Sequence, residues 1–196
     1  MKKFFAALAL VAALFVAGKA QAQISINAGY SPETFVTKWS NTSSSNNYQG
    51  FFINVTDNFT LRKGIGVAPG VQFRMNTKKN SGVLGSSTET QMLIDVPLMI
   101  NYSIGINRSL AITPFVGPML SFALSGATKS GNTSVGWYGD NTTMNRFNIN
   151  AVLGAALNLN RAKLFAGYRF GLLDQDKLDS TTTKTQGFFV GLGYAL

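Results

Sequence analysis

The chain has 196 residues, of which 45% are hydrophobic and only 13% charged, with no Cys, no His and a formal net charge of +9. Without Cys there is no disulfide framework, lipoprotein anchor or thiolate metal site; without His, catalysis through an imidazole base paired with a nucleophile or a carboxylate is closed. The basic residues are scattered, with Lys78-Lys79 the only adjacent Lys pair beyond the N-terminus, so the concentrated stripe that nucleic-acid binding needs is absent.

The N-terminus reads as an export leader. Met1-Lys2-Lys3 is basic, Phe4 to Ala17 is apolar and uncharged, and Ala20-Gln21-Ala22 has the small-x-small form of a cleavage site. The apolar run is too short to span a bilayer comfortably. The expected organisation is a cleavable signal peptide, 1–22, followed by one domain, 23–196. Loss of Lys2, Lys3 and Lys19 leaves 14 basic against 8 acidic residues, a modest excess that suits surface charge near anionic headgroups.

Beyond the leader no stretch has the roughly 18 continuous apolar residues of a membrane helix. Segments of period two recur instead, which is the signature of strands. In chain order they are ISINAGY from Ile24, GFFINVT from Gly50, GIGVAPGVQFRMN from Gly64 and QMLIDVPLMINY from Gln91. SLAITPFVGPMLSFAL from Ser109, RFNINAVLGAALNL from Arg146, KLFAGYRFGLL from Lys163 and GFFVGLGYAL from Gly187 complete a set of eight. Long polar connections are expected over 31–48, 77–90, 125–144 and 174–186. Short turns are expected at Asp57-Asn58, Gly105 to Arg108 and Asn160-Arg161. This alternation describes an up-and-down meander, with turns periplasmic and loops extracellular if the barrel sits in an outer membrane.

Two closed barrels fit eight strands: a soluble one with an apolar cavity and a charged outside, or a membrane one with the faces reversed. The face opposite the bulky residues decides. It carries Gly, Ala, Ser and Asn rather than dense Lys and Glu, and small groups suit the narrow lumen of eight strands. Arg74, Asp95, Arg146, Lys163 and Arg169 all share the parity of the small residues. An Arg or Lys facing lipid at mid-bilayer would cost about 2–4 kcal/mol. The fold class is therefore all-β: an eight-stranded antiparallel up-and-down transmembrane β-barrel. Pro69, Pro97, Pro114 and Pro118 fall inside strands, where each removes a ladder donor, so β-bulges or breaks that invert parity are expected there.

On the last strand, Phe188, Val190, Leu192, Tyr194 and Leu196 are assigned to lipid, and closure pairs this strand with the first. This strand also resembles the C-terminal signal read by the outer-membrane assembly machinery, except that it ends in Leu196 rather than an aromatic residue. Tyr30, Tyr102, Tyr168, Phe170 and Tyr194 are candidates for interfacial girdles.

Asp95-Val96-Pro97 and Val116-Gly117-Pro118 sit within LIDVPLMINYSIGI and AITPFVGPMLSFAL. With AVLGAALNL and LFAGYRFGLLD, these segments resemble the small outer-membrane β-barrel domain family of the Bacteroidota, PorT-type proteins included. The chain is also similar in size to OmpX-like barrels. The resemblance implies the architecture and suggests, more weakly, an accessory role in protein secretion.

No cofactor or metal is expected. Asp174, Asp176 and Asp179 share a loop, but DQDKLD lacks the Gly and terminal Glu of a calcium-binding EF-hand loop. Asp179-Ser180-Thr181 resembles an O-glycosylation acceptor. Arg74 and Asp95, on adjacent strands, form either a structural network or a charged gate across the lumen, which Arg169 could join. The reading is a non-enzymatic outer-membrane protein whose loops serve adhesion, envelope integrity or partner docking. Its expected partners are outer-membrane lipid, the assembly machinery and an extracellular or envelope protein. A small gated pore, a secretion accessory and a secreted ligand-binding barrel are the alternatives.

Overall fold

The described residues of the computed structural model are 22–40, 42–62, 64–82, 85–139, 142, 144–177 and 181–196. The expected leader up to residue 21, including Ala20, lies outside them, as do Asp140, Asp179 and Ser180. The described chain forms strands and turns without a helix.

In order, the strands are β1 (Ala22–Tyr30), β2 (Glu33–Trp39), β3 (Thr42–Arg62), β4 (Ile65–Gly82), β5 (Gly85–Tyr102) and β6 (Ile104–Gly105). They continue with β7 (Leu110–Ser130), β8 (Thr133–Gly136), β9 (Phe147–Leu159), β10 (Ala162–Gly171) and β11 (Thr181–Ala195). The short β6 and β8 pair with β7. β1 and β2 are two halves of one stave, and both pair with β3 on one side and β11 on the other. Eight antiparallel staves thus close into a ring, which leaves no sheet edge exposed to lipid.

Three of the expected long loops are largely strand. The β2–β3, β4–β5 and β7–β8 hairpins carry pairing out to Trp39–Thr42, Gly82–Gly85 and Ser130–Thr133, and β11 already starts at Thr181. Ser, Thr and Asn lack the apolar alternation that marks a strand in sequence, yet their backbones pair once a neighbouring strand supplies the partner groups, because strand preference depends on context. The 21 residues of β3 would run roughly 70 Å, well beyond an apolar band about 25 Å tall. The staves therefore rise far above the membrane.

Asp57-Asn58 is not a turn. β3 continues through it, and the chain turns only near Gly64, whose φ of 83° suits glycine. Asp57 therefore lies on the outward parity, an exception to the rule that strand charges face the lumen. It is nonetheless only 3% exposed, enclosed in the gap that the ladder leaves opposite Pro69. The Asn160-Arg161 turn stands as expected, with Asn160 at φ 52° in a two-residue hairpin.

The prolines also correct an expectation. Register is unchanged across Pro69, Pro97, Pro114 and Pro118. The ladder instead skips rungs opposite three of them: Asp57 opposite Pro69, Gly70 opposite Pro97 and Leu98 opposite Pro118. A missing donor removes a rung without adding a residue, so parity survives. The two register shifts lie elsewhere, between Thr60 and Arg62 and opposite Met92–Leu93, where Leu124 is the extra residue of β7.

The outer face holds the bulky residues, with Ile53, Val55, Ile100, Val116, Leu164 and Leu192 exposed. Phe188, Val190, Tyr194 and Leu196 stand out beside them. Tyr30 packs on Phe51 and Phe188 near the upper end of this band, while Tyr102 and Tyr194 mark the lower end. Inside, Phe52, Phe115, Phe165 and Phe189 each face a glycine directly across the ladder: Gly29, Gly154, Gly191 and Gly167. A Cβ on any of these glycines would come within 2.4–2.7 Å of the ring atom above it. Large rings over bare backbone are how a narrow lumen fills without swelling.

Candidate functional site

The lumen parity of the first stave runs unbroken through Ser25, Asn27, Gly29, Ser31, Glu33 and Phe35. Pro32 lacks an N–H, so the ladder breaks there, and the Ser31 N–H is taken by the Gly50 carbonyl at 2.7 Å. The neighbouring staves press against this break. A Cβ on Gly50 would lie 2.0 Å from the Ser31 carbonyl oxygen, and one on Gly187 would lie 2.1 Å from that of Pro32. The two glycines thus let β3 and β11 hold the break, and the unbroken parity carries Glu33 into the barrel.

Glu33 is the centre of the site. Arg74 Nη1 donates to its Oε2 at 2.5 Å, and Arg169 Nη2 stands 3.3 Å from its Oε1. Arg74 also grips Asp95 with a two-pronged fork, Nε to Oδ2 at 2.9 Å and Nη2 to Oδ1 at 3.2 Å. All four charged groups are at most 3% exposed. Two guanidinium groups and two carboxylates neutralise one another where a lone charge would be costly.

Amides complete the coordination. Gln72 Nε2 donates to Asp95 Oδ2 at 2.7 Å, and Asn76 Nδ2 donates to Glu33 Oε2 at 2.5 Å and to Gln91 Oε1 at 3.0 Å. Gln91 in turn donates to the Tyr138 hydroxyl. Burial raises the pKa of that phenol, so it stays a neutral hydroxyl. A direct cross-strand line joins Asn27, Asn54, Gln72, Asp95, Ser121 and Asn148 over six neighbouring staves. Asn27 donates to Asn54 at 2.6 Å, and Asn54 to Gln72 at 3.2 Å. The result is a polar diaphragm across the barrel.

Arg74, Asp95 and Arg169, singled out in the sequence, all belong to it. Glu33 was missed because it falls in a polar stretch that resembles a loop; continuing the odd parity of ISINAGY past Pro32 would have found it. Tyr138 has no such signal, since it reaches the lumen from a connection. Arg146, by contrast, lies outside the strands and is exposed, its guanidinium on the carbonyls of Ala123, Leu124 and Tyr138. Lys163 keeps the lumen parity but stays below the diaphragm, its ammonium 6.0 Å from the centre of the Phe165 ring.

The diaphragm divides the interior. On its upper side, among the described residues, the space beside Glu33, Phe35 and Arg74 is about 10 Å³. Below the diaphragm a cavity of about 260 Å³ extends from Arg169 and Ser31 to Asn160 and Arg161 at the periplasmic turns. Among the described residues no group of His, Cys, Asp or Glu is arranged to hold a metal.

A family model described as outer membrane protein beta-barrel domain matches residues 18–176. No protein of curated function matches the sequence. Among solved structures, the chain is similar to Ail, the attachment invasion locus protein of Yersinia pestis, in complex with the heparin analogue sucrose octasulfate. The identity is 16% over 89% of this chain and 99% of that one, with a TM-score of 0.51. It is also similar to Neisserial surface protein A, at 13% identity over 88% and 97%, with a TM-score of 0.56. At such identities these likenesses speak to the fold, and they agree with the lipid-facing exterior, the closed ring and the family match. The chain belongs to the outer membrane protein beta-barrel domain family and is an integral protein of the outer membrane of a Gram-negative bacterium.

Proposed function

We propose that this barrel is a non-enzymatic anchor that holds rigid strand hairpins outside the cell for contact with an extracellular or envelope partner. The observation that carries this reading is the diaphragm. Its four interlocked charged groups are at most 3% exposed, which supports a structural plug rather than the gate of a pore. Residues 1–22 serve as the export leader, and the alternating C-terminal strand serves assembly. Membership of the narrower PorT-type group, with its secretion role, rests on the Asp95-Val96-Pro97 and Val116-Gly117-Pro118 motifs alone.

Above the membrane the staves stay paired, so their tips are presented at fixed positions. Trp39 is 63% exposed at the β2–β3 tip. It lies nine residues past Tyr30, which at about 3.3 Å per residue and a tilt near 40° is roughly 20 Å higher. Lipid cannot cover it there. An exposed Trp on a rigid element is a typical anchor of protein recognition, and Val135 on β8 is similarly exposed. Ail, of the same fold, has been solved with a heparin analogue, which supports an outward-facing partner surface.

The test uses whole cells carrying the protein, scored for adherence to immobilised matrix and to envelope extracts. Trp39→Ala with Val135→Ser should lower adherence several-fold while the folded barrel, read by its gel mobility before and after heating, is unchanged. The unaltered protein should give no conductance steps in planar bilayers. Unchanged adherence by the folded variant, or regular conductance steps, would contradict the reading.

A further inference from the structure

The lower half of the lumen has a lining that the anchoring role does not require. Three cations reach the cavity, Arg161 and Lys163 near the mouth and Arg169 at the closed end, and among the described residues no Asp or Glu lines it. Between those ends Phe52, Phe115, Phe165 and Phe189 form an apolar collar. Lys163, Phe165, Gly167 and Arg169 alternate along β10 on the lumen side, so mouth and floor are roughly 20 Å apart.

Arg169 is the second observation. Its Nη1 donates to Ser31 Oγ at 3.1 Å and its Nη2 faces Glu33, but its Nε–H is buried and has no hydrogen-bond partner among the described residues. A buried, unpaired donor on a guanidinium is costly, and this one belongs to a side chain that forms the cavity floor. Charge points the same way. Arg74 and Arg169 balance Glu33 and Asp95, which leaves Lys163 as a lumen cation without a carboxylate near it among the described ion pairs. An anion at the floor would complete the hydrogen bonding of Arg169, and Arg161 and Lys163 at the mouth make the lumen positive along its path.

We propose that the periplasm-facing half of the lumen binds a small amphiphile with a single anionic group, its carboxylate at Arg169 and its apolar body within the phenylalanine collar. A cavity of about 260 Å³ is many times the roughly 10–15 Å³ that admits one water, room enough for a short apolar chain, so a medium-chain carboxylate is the class that fits. Entry is from the periplasmic side, between the short turns, because the diaphragm closes the way from outside. This site is independent of the hairpin tips, and either reading can fail without the other.

The probe is octanoate, titrated calorimetrically into the mature barrel in lipid nanodiscs, with empty nanodiscs subtracted and 1-octanol as the uncharged counterpart. Octanoate should bind saturably at one site, with octanol about tenfold weaker or more, the difference one charge-assisted hydrogen bond makes. Arg169→Gln should weaken octanoate about tenfold, again the worth of one such bond. Because Arg169 also belongs to the diaphragm, Ala156→Phe is the second variant: it fills the cavity beside Phe165 and should abolish saturable binding while the barrel stays folded. The proposal is overturned if octanoate shows no saturable binding, if octanol binds equally well, or if folded Ala156→Phe binds octanoate unchanged.

Discussion

Arg74→Ala should destabilise the barrel by about 3–5 kcal/mol, the usual penalty for removing one partner of a buried ion pair. Among the described residues Arg74 is the one that ion-pairs with both Glu33 and Asp95, and its loss leaves Asp95 with only the neutral Gln72 and Ser121 as hydrogen-bond donors among them. Glu33 keeps Arg169 and Asn76, so Asp95 suffers more. A replacement that removes charge from both partners separates desolvation from packing. Arg74→Met combined with Asp95→Leu should cost distinctly less than Arg74→Ala alone, because no buried carboxylate is left without a cation. Urea titration of barrels refolded into vesicles, followed by tryptophan fluorescence, measures both. Equal losses for the single and double variants would mean that packing, not charge balance, dominates the diaphragm.

Val55→Arg tests the outer wall. Val55 is exposed on the bulky face and lies directly opposite Ile26 and Val71, within the apolar band between the Tyr30 and Tyr194 levels. An Arg at the bilayer midplane costs about 2–4 kcal/mol. The same substitution at Asn54, one residue away on the lumen side, meets other Asn and Gln side chains and should lower stability through crowding rather than through lipid. The two are distinguished by bilayer thickness. Thinner bilayers should relieve Val55→Arg, whose guanidinium can reach the headgroups, and leave Asn54→Arg unchanged. A Val55→Arg barrel as stable as the parent would remove lipid from that face.

Much of this architecture can be read from parity. The eight segments, the bulky face and the lumen positions of Arg74, Asp95 and Arg169 follow from period two, because a closed barrel ties each side chain to one of two environments. What parity cannot supply is the extent of pairing in polar sequence. Ser43 to Asn47 and Thr77 to Ser81 look like loops because nothing apolar alternates in them, yet they pair with strands brought alongside by the hairpins below. Glu33 was hidden by the same stretch, and with it the link that joins Arg169 to Arg74. Proline presents the opposite case. At Pro97 and Pro118 the residue type forecasts a bulge, and tertiary register instead absorbs the lost donor as a skipped rung.

The bulky face of this barrel meets acyl chains, and its lumen face does not. With no native Cys, single-cysteine variants can be spin-labelled cleanly at outward Ile53, Val116 and Leu192, and at lumen-facing Ala68 and Met99. In vesicles, labels at the first three should relax strongly with dissolved oxygen and weakly with a water-soluble nickel complex. Those at Ala68 and Met99 should show low oxygen exposure. Oxygen contact concentrated at Ala68 and Met99, with nickel reaching Ile53, Val116 and Leu192, would contradict the account.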